Sequence, residues 1–118
     1  MSLTWPAAFA ITTLVEIPLV VTGTRTVPVR PSRRVMTAFA AQLLTHPVVW
    51  FVFPRLAWLS ISTSLGLSEL WAWLLEAGVY ALFFFPRLSP LSALGLSAFA
   101  NGASVGFGLL ASVWESGR

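Results

Sequence analysis

The sequence reads as an all-α integral membrane four-helix bundle, an expectation that rests on three observations. Of its 118 residues, 57% are hydrophobic and only 9% charged, whereas soluble domains average roughly half apolar and a quarter charged. The mean hydropathy is +0.83, too high for a chain that must cover itself with polar surface. Four apolar stretches, each near the roughly 20 residues a helix needs to cross about 30 Å of hydrocarbon, are separated by segments that hold the arginines.

The same composition excludes several classes of protein. With no cysteine, there is no disulfide, thiolate metal site or cysteine nucleophile. The net charge of +3 and the pI near 11.2 do not point to nucleic acid. All seven basic residues are arginines at the borders of apolar runs, where they orient helices across a bilayer.

The spans are placed at 4–22, 35–53, 69–85 and 88–114, forming a single transmembrane domain over 1–118. The first opens at Trp5-Pro6, an interfacial anchor followed by a proline tolerated in the first turn, and fades at Thr22-Gly23-Thr24-Arg25. It is not read as a cleaved signal peptide, because no basic segment precedes Leu3 and Glu16 interrupts the apolar run. Segment 22–34, with Arg25, Arg30, Arg33, Arg34 and two prolines, cannot be helical throughout and is expected in water.

The second span ends at Phe53-Pro54-Arg55 and the third at Phe85-Pro86-Arg87, each followed by leucine. An aromatic, a helix breaker and a snorkelling arginine suit any membrane helix end, so the repeated tetrapeptide is read as end chemistry rather than duplication. Segment 56–68, LAWLSISTSLGLS, is too apolar for an ordinary loop and too short to cross. It is expected to be an interfacial or re-entrant segment anchored by Trp58. The fourth span is long and rich in small residues. Arg25, Arg30, Arg33, Arg34 and Arg87 lie on one side, against Arg55 and Arg118 on the other, which makes the first side cytoplasmic and places both termini outside.

Each span holds a polar or ionisable residue deep in its apolar run: Glu16, His46, Glu76 and Asn101. A charge at mid-bilayer costs roughly 2.5–3.5 kcal/mol even on the lenient insertion scale, so these side chains should face the bundle interior. Polar or small companions share their faces at helical spacing: Thr12 and Thr13 with Glu16, Gln42 with His46, Glu69 and Tyr80 with Glu76, and Ser97, Ser104 and Gly108 with Asn101. Counting rise from the cytoplasmic ends puts His46, Glu76 and Asn101 at about 14–20 Å depth, and Glu16 at about 9 Å. From there Glu16 can join the others or pair with Arg33 or Arg34. Pro18 and Pro47 follow Glu16 and His46, a placement met in broken helices that bind ions.

Two carboxylates, an imidazole and an amide can bind a divalent cation through His46, Glu76, Glu16 and Asn101, or relay a proton. Glu76 has no arginine in its span, so it is expected to be protonated, paired with His46 or bound to a cation. A lone histidine excludes a bis-His haem within the chain and leaves His46 as a single axial ligand for haem or chlorin, beside Trp50, Phe51 and Phe53. Ser62, Ser64, Ser68 or Ser104 could be set against His46 and a glutamate, but no catalytic motif accompanies them, and the chain is not read as an enzyme. Ala98, Gly102 and Gly106 form a small-xxx-small ridge for close helix packing, within the bundle or with another protein.

Glu16-x-Pro18, Leu44-Thr45-His46-Pro47, Glu76 with Tyr80, and Asn101-Gly102-x-Ser104 together resemble a group of small four-span bacterial inner-membrane proteins. Those proteins carry a Thr-Asn/His-Pro element in the second span and an Asn-x-x-Ser stretch in the last. The resemblance implies the fold, the bacterial inner membrane and the choice of polar residues, and carries over no activity. Trp50 and Phe51 stand where many such sequences have a polar residue. Two functions are therefore expected as alternatives. One is an intramembrane Glu/His/Glu/Asn cluster that binds a cation or handles protons. The other is a non-catalytic accessory subunit of a larger respiratory, photosynthetic or transport complex, whose tryptophans and glycine ridge contact partner helices or pigments. Either implies self-association or other membrane subunits beside the lipid bilayer.

Overall fold

A computed structural model describes residues 4–118; the three residues ahead of the first span lie outside that range. The described residues form four α-helices and no strand: α1 Trp5–Gly23, α2 Pro31–Phe51, α3 Ile61–Phe83 and α4 Pro90–Ser116. A 3-10 turn, Phe53–Arg55, follows α2. Each helix packs against its two neighbours in a ring, α1 on α2 and α4, and α3 on α2 and α4, with no close backbone approach across the diagonal. Four facing stripes thus enclose one interior.

Local chemistry sets the helix boundaries. Prolines occupy the first positions of α1, α2 and α4, where no intrahelical N–H is lost. Ser60 and Ser89 cap α3 and α4, accepting from the Thr63 and Ser92 amides at 3.1 Å each. The Ser60 cap overturns one expectation: α3 starts at Ile61, so residues 61–68 form its first two turns rather than a separate interfacial or re-entrant segment. Only 56–60 remain as a connection, with Trp58 exposed. Pro31 likewise starts α2 four residues before the expected 35, making Arg33 and Arg34 helical. Both α1 and α2 run unbroken through Pro18 and Pro47, so neither is a discontinuous helix.

Three helices are long and apolar enough to span a membrane: Trp5–Gly23, Pro31–Arg55 and Pro90–Ser116. The 23 residues of α3 reach about 35 Å, but Glu69, Glu76 and a serine-rich opening interrupt its apolar run and keep it out of that set. Burial is inverted relative to a soluble bundle. Leu14, Met36, Leu82, Leu91 and Leu110 are each at least 70% exposed, while Glu16, Gln42 and Glu76 are 1% exposed. Apolar side chains turned outward around buried polar ones suit hydrocarbon as the surrounding solvent.

The main cluster of buried apolar side chains lies toward the arginine-rich end. Val20, Ala38, Ala41, Val79, Tyr80, Phe84 and Ala93 pack there, with Val27 and Val29 folded in from the α1–α2 loop. That loop is tied down by guanidinium groups: Arg34 donates to the Val27 carbonyl (2.7 Å) and Arg33 to the Phe83 carbonyl at the end of α3 (2.8 Å). The other half of the interior is polar.

Candidate functional site, a buried carboxyl pair

The polar half is built from one or two side chains of every helix. Glu16 of α1 accepts from Gln42 Nε2 of α2 and from Ser104 Oγ of α4, the latter at 2.6 Å. Glu76 of α3 accepts from Thr45 Oγ1 of α2 at 2.7 Å and from Asn101 Nδ2 of α4 at 2.8 Å. The two carboxyl groups adjoin each other, and all four oxygens are engaged by neutral donors.

Two of those donors have a second acceptor. Thr45 Oγ1 lies 3.1 Å from the Ala41 carbonyl, and Ser104 Oγ lies 3.1 Å from the Asn101 carbonyl. A hydroxyl has one proton to donate and can also accept. When a carboxyl is ionised, its hydroxyl partner donates to it. When the carboxyl is protonated, the same hydroxyl can accept from it and turn its own proton to the backbone carbonyl. Neither state leaves a buried polar atom unpaired.

Around this centre α3 and α4 are locked together. Asn101 Nδ2 also donates to the Ser97 carbonyl (2.9 Å), Ser97 Oγ donates to the Trp73 carbonyl (2.8 Å), and Trp73 Nε1 donates to the Leu94 carbonyl (2.9 Å). These bonds hold the Asn101 amide toward Glu76.

Three of the four sequence-derived residues, Glu16, Glu76 and Asn101, thus converge. Glu16 does not pair with Arg33 or Arg34, whose guanidinium groups bond to backbone carbonyls instead. His46 stands apart. Its ring stacks on Trp50 (6.2 Å between centroids, 19°) and meets Phe9 edge-on (5.3 Å, 77°), with Trp5 at 6.3 Å. It forms no charged pair with Glu76, whose partners are Thr45 and Asn101, and its Nδ1 is buried without a hydrogen-bond partner. Among the described residues, no three His, Cys, Asp or Glu side chains come together as a metal-ligand set.

Gln42 and Thr45 figured in the sequence only as companion or motif letter, and Ser104 also as a serine that could be set against His46 and a glutamate, yet all three are direct partners of the carboxyls. The available signal was spacing: Gln42, Thr45 and His46 share a stripe on α2, and Ser97, Asn101 and Ser104 share one on α4. A cavity of about 130 Å³ adjoins the pair, lined also by Thr12, His46, Trp50 and Glu69. The small-residue ridge faces outward, with Ala98 and Gly102 bordering the open groove between α3 and α4. A Cβ added at Gly102 or Gly106 would meet nothing within 4 Å, so the ridge makes no close helix contact inside the bundle. No family model, curated protein or solved structure matches the chain.

Proposed function

We propose that this is a small four-span membrane bundle whose Glu16–Glu76 pair takes up and releases a proton inside the bilayer. The observation that supports it is the second acceptor within reach of Thr45 and of Ser104, which lets each hydroxyl serve its carboxyl in either protonation state. Charge makes the same point, because no arginine reaches the pair. Two unit charges about 4 Å apart repel by about 4 kcal/mol at an effective dielectric of about 20, so adjoining carboxyls tend to share a proton. A divalent cation fits the set less well: four donors already point at the four carboxyl oxygens, and His46, which lines the same cavity, stacks on Trp50 without a bond to either carboxyl. The location we infer, from the resemblance of the polar elements, is a bacterial inner membrane, and the inferred orientation with both termini outside is supported by five arginines at one end of the bundle against two at the other.

The test is infrared spectroscopy of the protein in lipid bilayers. The carbonyl stretch of a buried protonated carboxyl is expected at neutral pH and is expected to vanish in the double variant Glu16→Gln, Glu76→Gln. A wild-type spectrum without that band, or its persistence in the double variant, overturns the reading.

The accessory-subunit reading is favoured by a different feature, the outward ridge of Ala98, Gly102 and Gly106. Glycines with open space around them on an outward helix face allow a partner helix to approach closely. Replacing Gly106 by leucine is expected to leave the thermal stability of the isolated chain within about 0.5 kcal/mol while weakening association. Cross-linking in native membranes reads the second effect, and unchanged cross-linking removes the ridge as a contact.

A further inference from the structure

Three hollows meet at a single side chain. Glu69 lines the cavity beside Glu16 and Glu76. It also lines the open groove between α3 and α4 next to Gly66, and a second groove against the end of α2 with Trp50 and Ser68. It lies two turns into α3, about 12 Å from the start of that helix. Its side chain is exposed and has no hydrogen bond or ion pair among the described residues.

The opposite side of the pair is closed. One turn beyond Glu76, Tyr80 stacks on Phe84 (6.3 Å, 19°), and both are at most 1% exposed, packed with Val20 and Ala41. The cavity between has space for several waters, since one needs only about 10–15 Å³ of such volume. His46 lines it too; this side chain is 8% exposed, and its unpartnered Nδ1 offers a bond to a small polar occupant. The ionisable groups around the cavity are Glu16 from α1, His46 from α2, and Glu69 and Glu76 from α3, while α4 contributes only the neutral Asn101 and Ser104.

We propose that Glu69 is the exchange residue of the buried pair, and that protons reach Glu16 and Glu76 through it from the groove side only. In one passage the O–H bond on Glu69 breaks and its proton moves through cavity water to an unprotonated oxygen of the pair. Glu69 then regains a proton from water in the groove, and release follows the same route in reverse. The inference rests on the proton reading of the pair.

Hydrogen–deuterium exchange of the buried carboxyl band, followed by infrared spectroscopy of the full chain in bilayers, tests it. Glu69→Gln is expected to slow the exchange at least about tenfold, and Glu69→Asp, which keeps an acid at that position, to hold it within about threefold of wild type. Because Glu69 is exposed, the neutral replacement buries no new polar group, and circular dichroism checks that the helices persist. Wild-type exchange in Glu69→Gln with the band still present overturns the exchange role and leaves the proton pair standing. A wild-type protein without the band overturns both.

Discussion

Glu76→Ala is expected to destabilise the bundle by about 3–5 kcal/mol, whereas Glu76→Gln should cost less than about 1.5 kcal/mol. Alanine strands the Thr45 hydroxyl and the Asn101 amide in a buried space, at about 1–3 kcal/mol for each unsatisfied group, and leaves the volume of the side chain empty. Glutamine reproduces the protonated carboxyl. Its carbonyl accepts from Asn101, and its amide donates to Thr45 while Thr45 donates to the Ala41 carbonyl. Thermal unfolding of both variants in one detergent, followed by tryptophan fluorescence, makes the comparison. A glutamine as costly as alanine shows that the site needs a charge at Glu76, which contradicts a carboxyl that is stable in its neutral form.

At the closed end, Tyr80→Ala should cost about 3–5 kcal/mol, and Tyr80→Phe should be neutral or stabilising. The ring is completely buried against Phe84, Val20 and Ala41, so its removal leaves a cavity at the point where all four helices meet the folded loop. The hydroxyl is buried without a partner, and an unsatisfied group of this kind costs about 1–3 kcal/mol. Phenylalanine removes that cost and keeps the ring. The same unfolding assay reads both changes. A loss above about 1 kcal/mol in Tyr80→Phe shows that the hydroxyl is bonded to an ordered water whose removal is costly.

Much of this was legible in the residues themselves. Glu16, Glu76 and Asn101 were visible because a polar side chain in an apolar run must be satisfied internally, and their companions at three- and four-residue spacing marked the inner face of each helix. Ser60 was harder to read. It caps α3 eight residues before the expected start, in a segment whose apolar run suggested the membrane interface and whose cap depends on the Thr63 amide. Depth counted from helix ends set Glu16 nearer the arginine end than His46, and Glu16 meets Gln42, which lies one turn closer to that end than His46.

The sequence by itself determined the all-helical class, the apolar exterior and the identity of the buried polar residues, because these follow from composition and from the period of a single helix. Only the tertiary structure decided which of those residues meet. A helix repeats every 3.6 residues whatever stands beside it, so spacing specifies a face but not its neighbour. The rotation and offset of four helices join Glu16 to Gln42 and Ser104, and Glu76 to Thr45 and Asn101. They leave His46 among aromatic rings and turn the glycine ridge outward, because those relations come from packing between segments far apart in the chain.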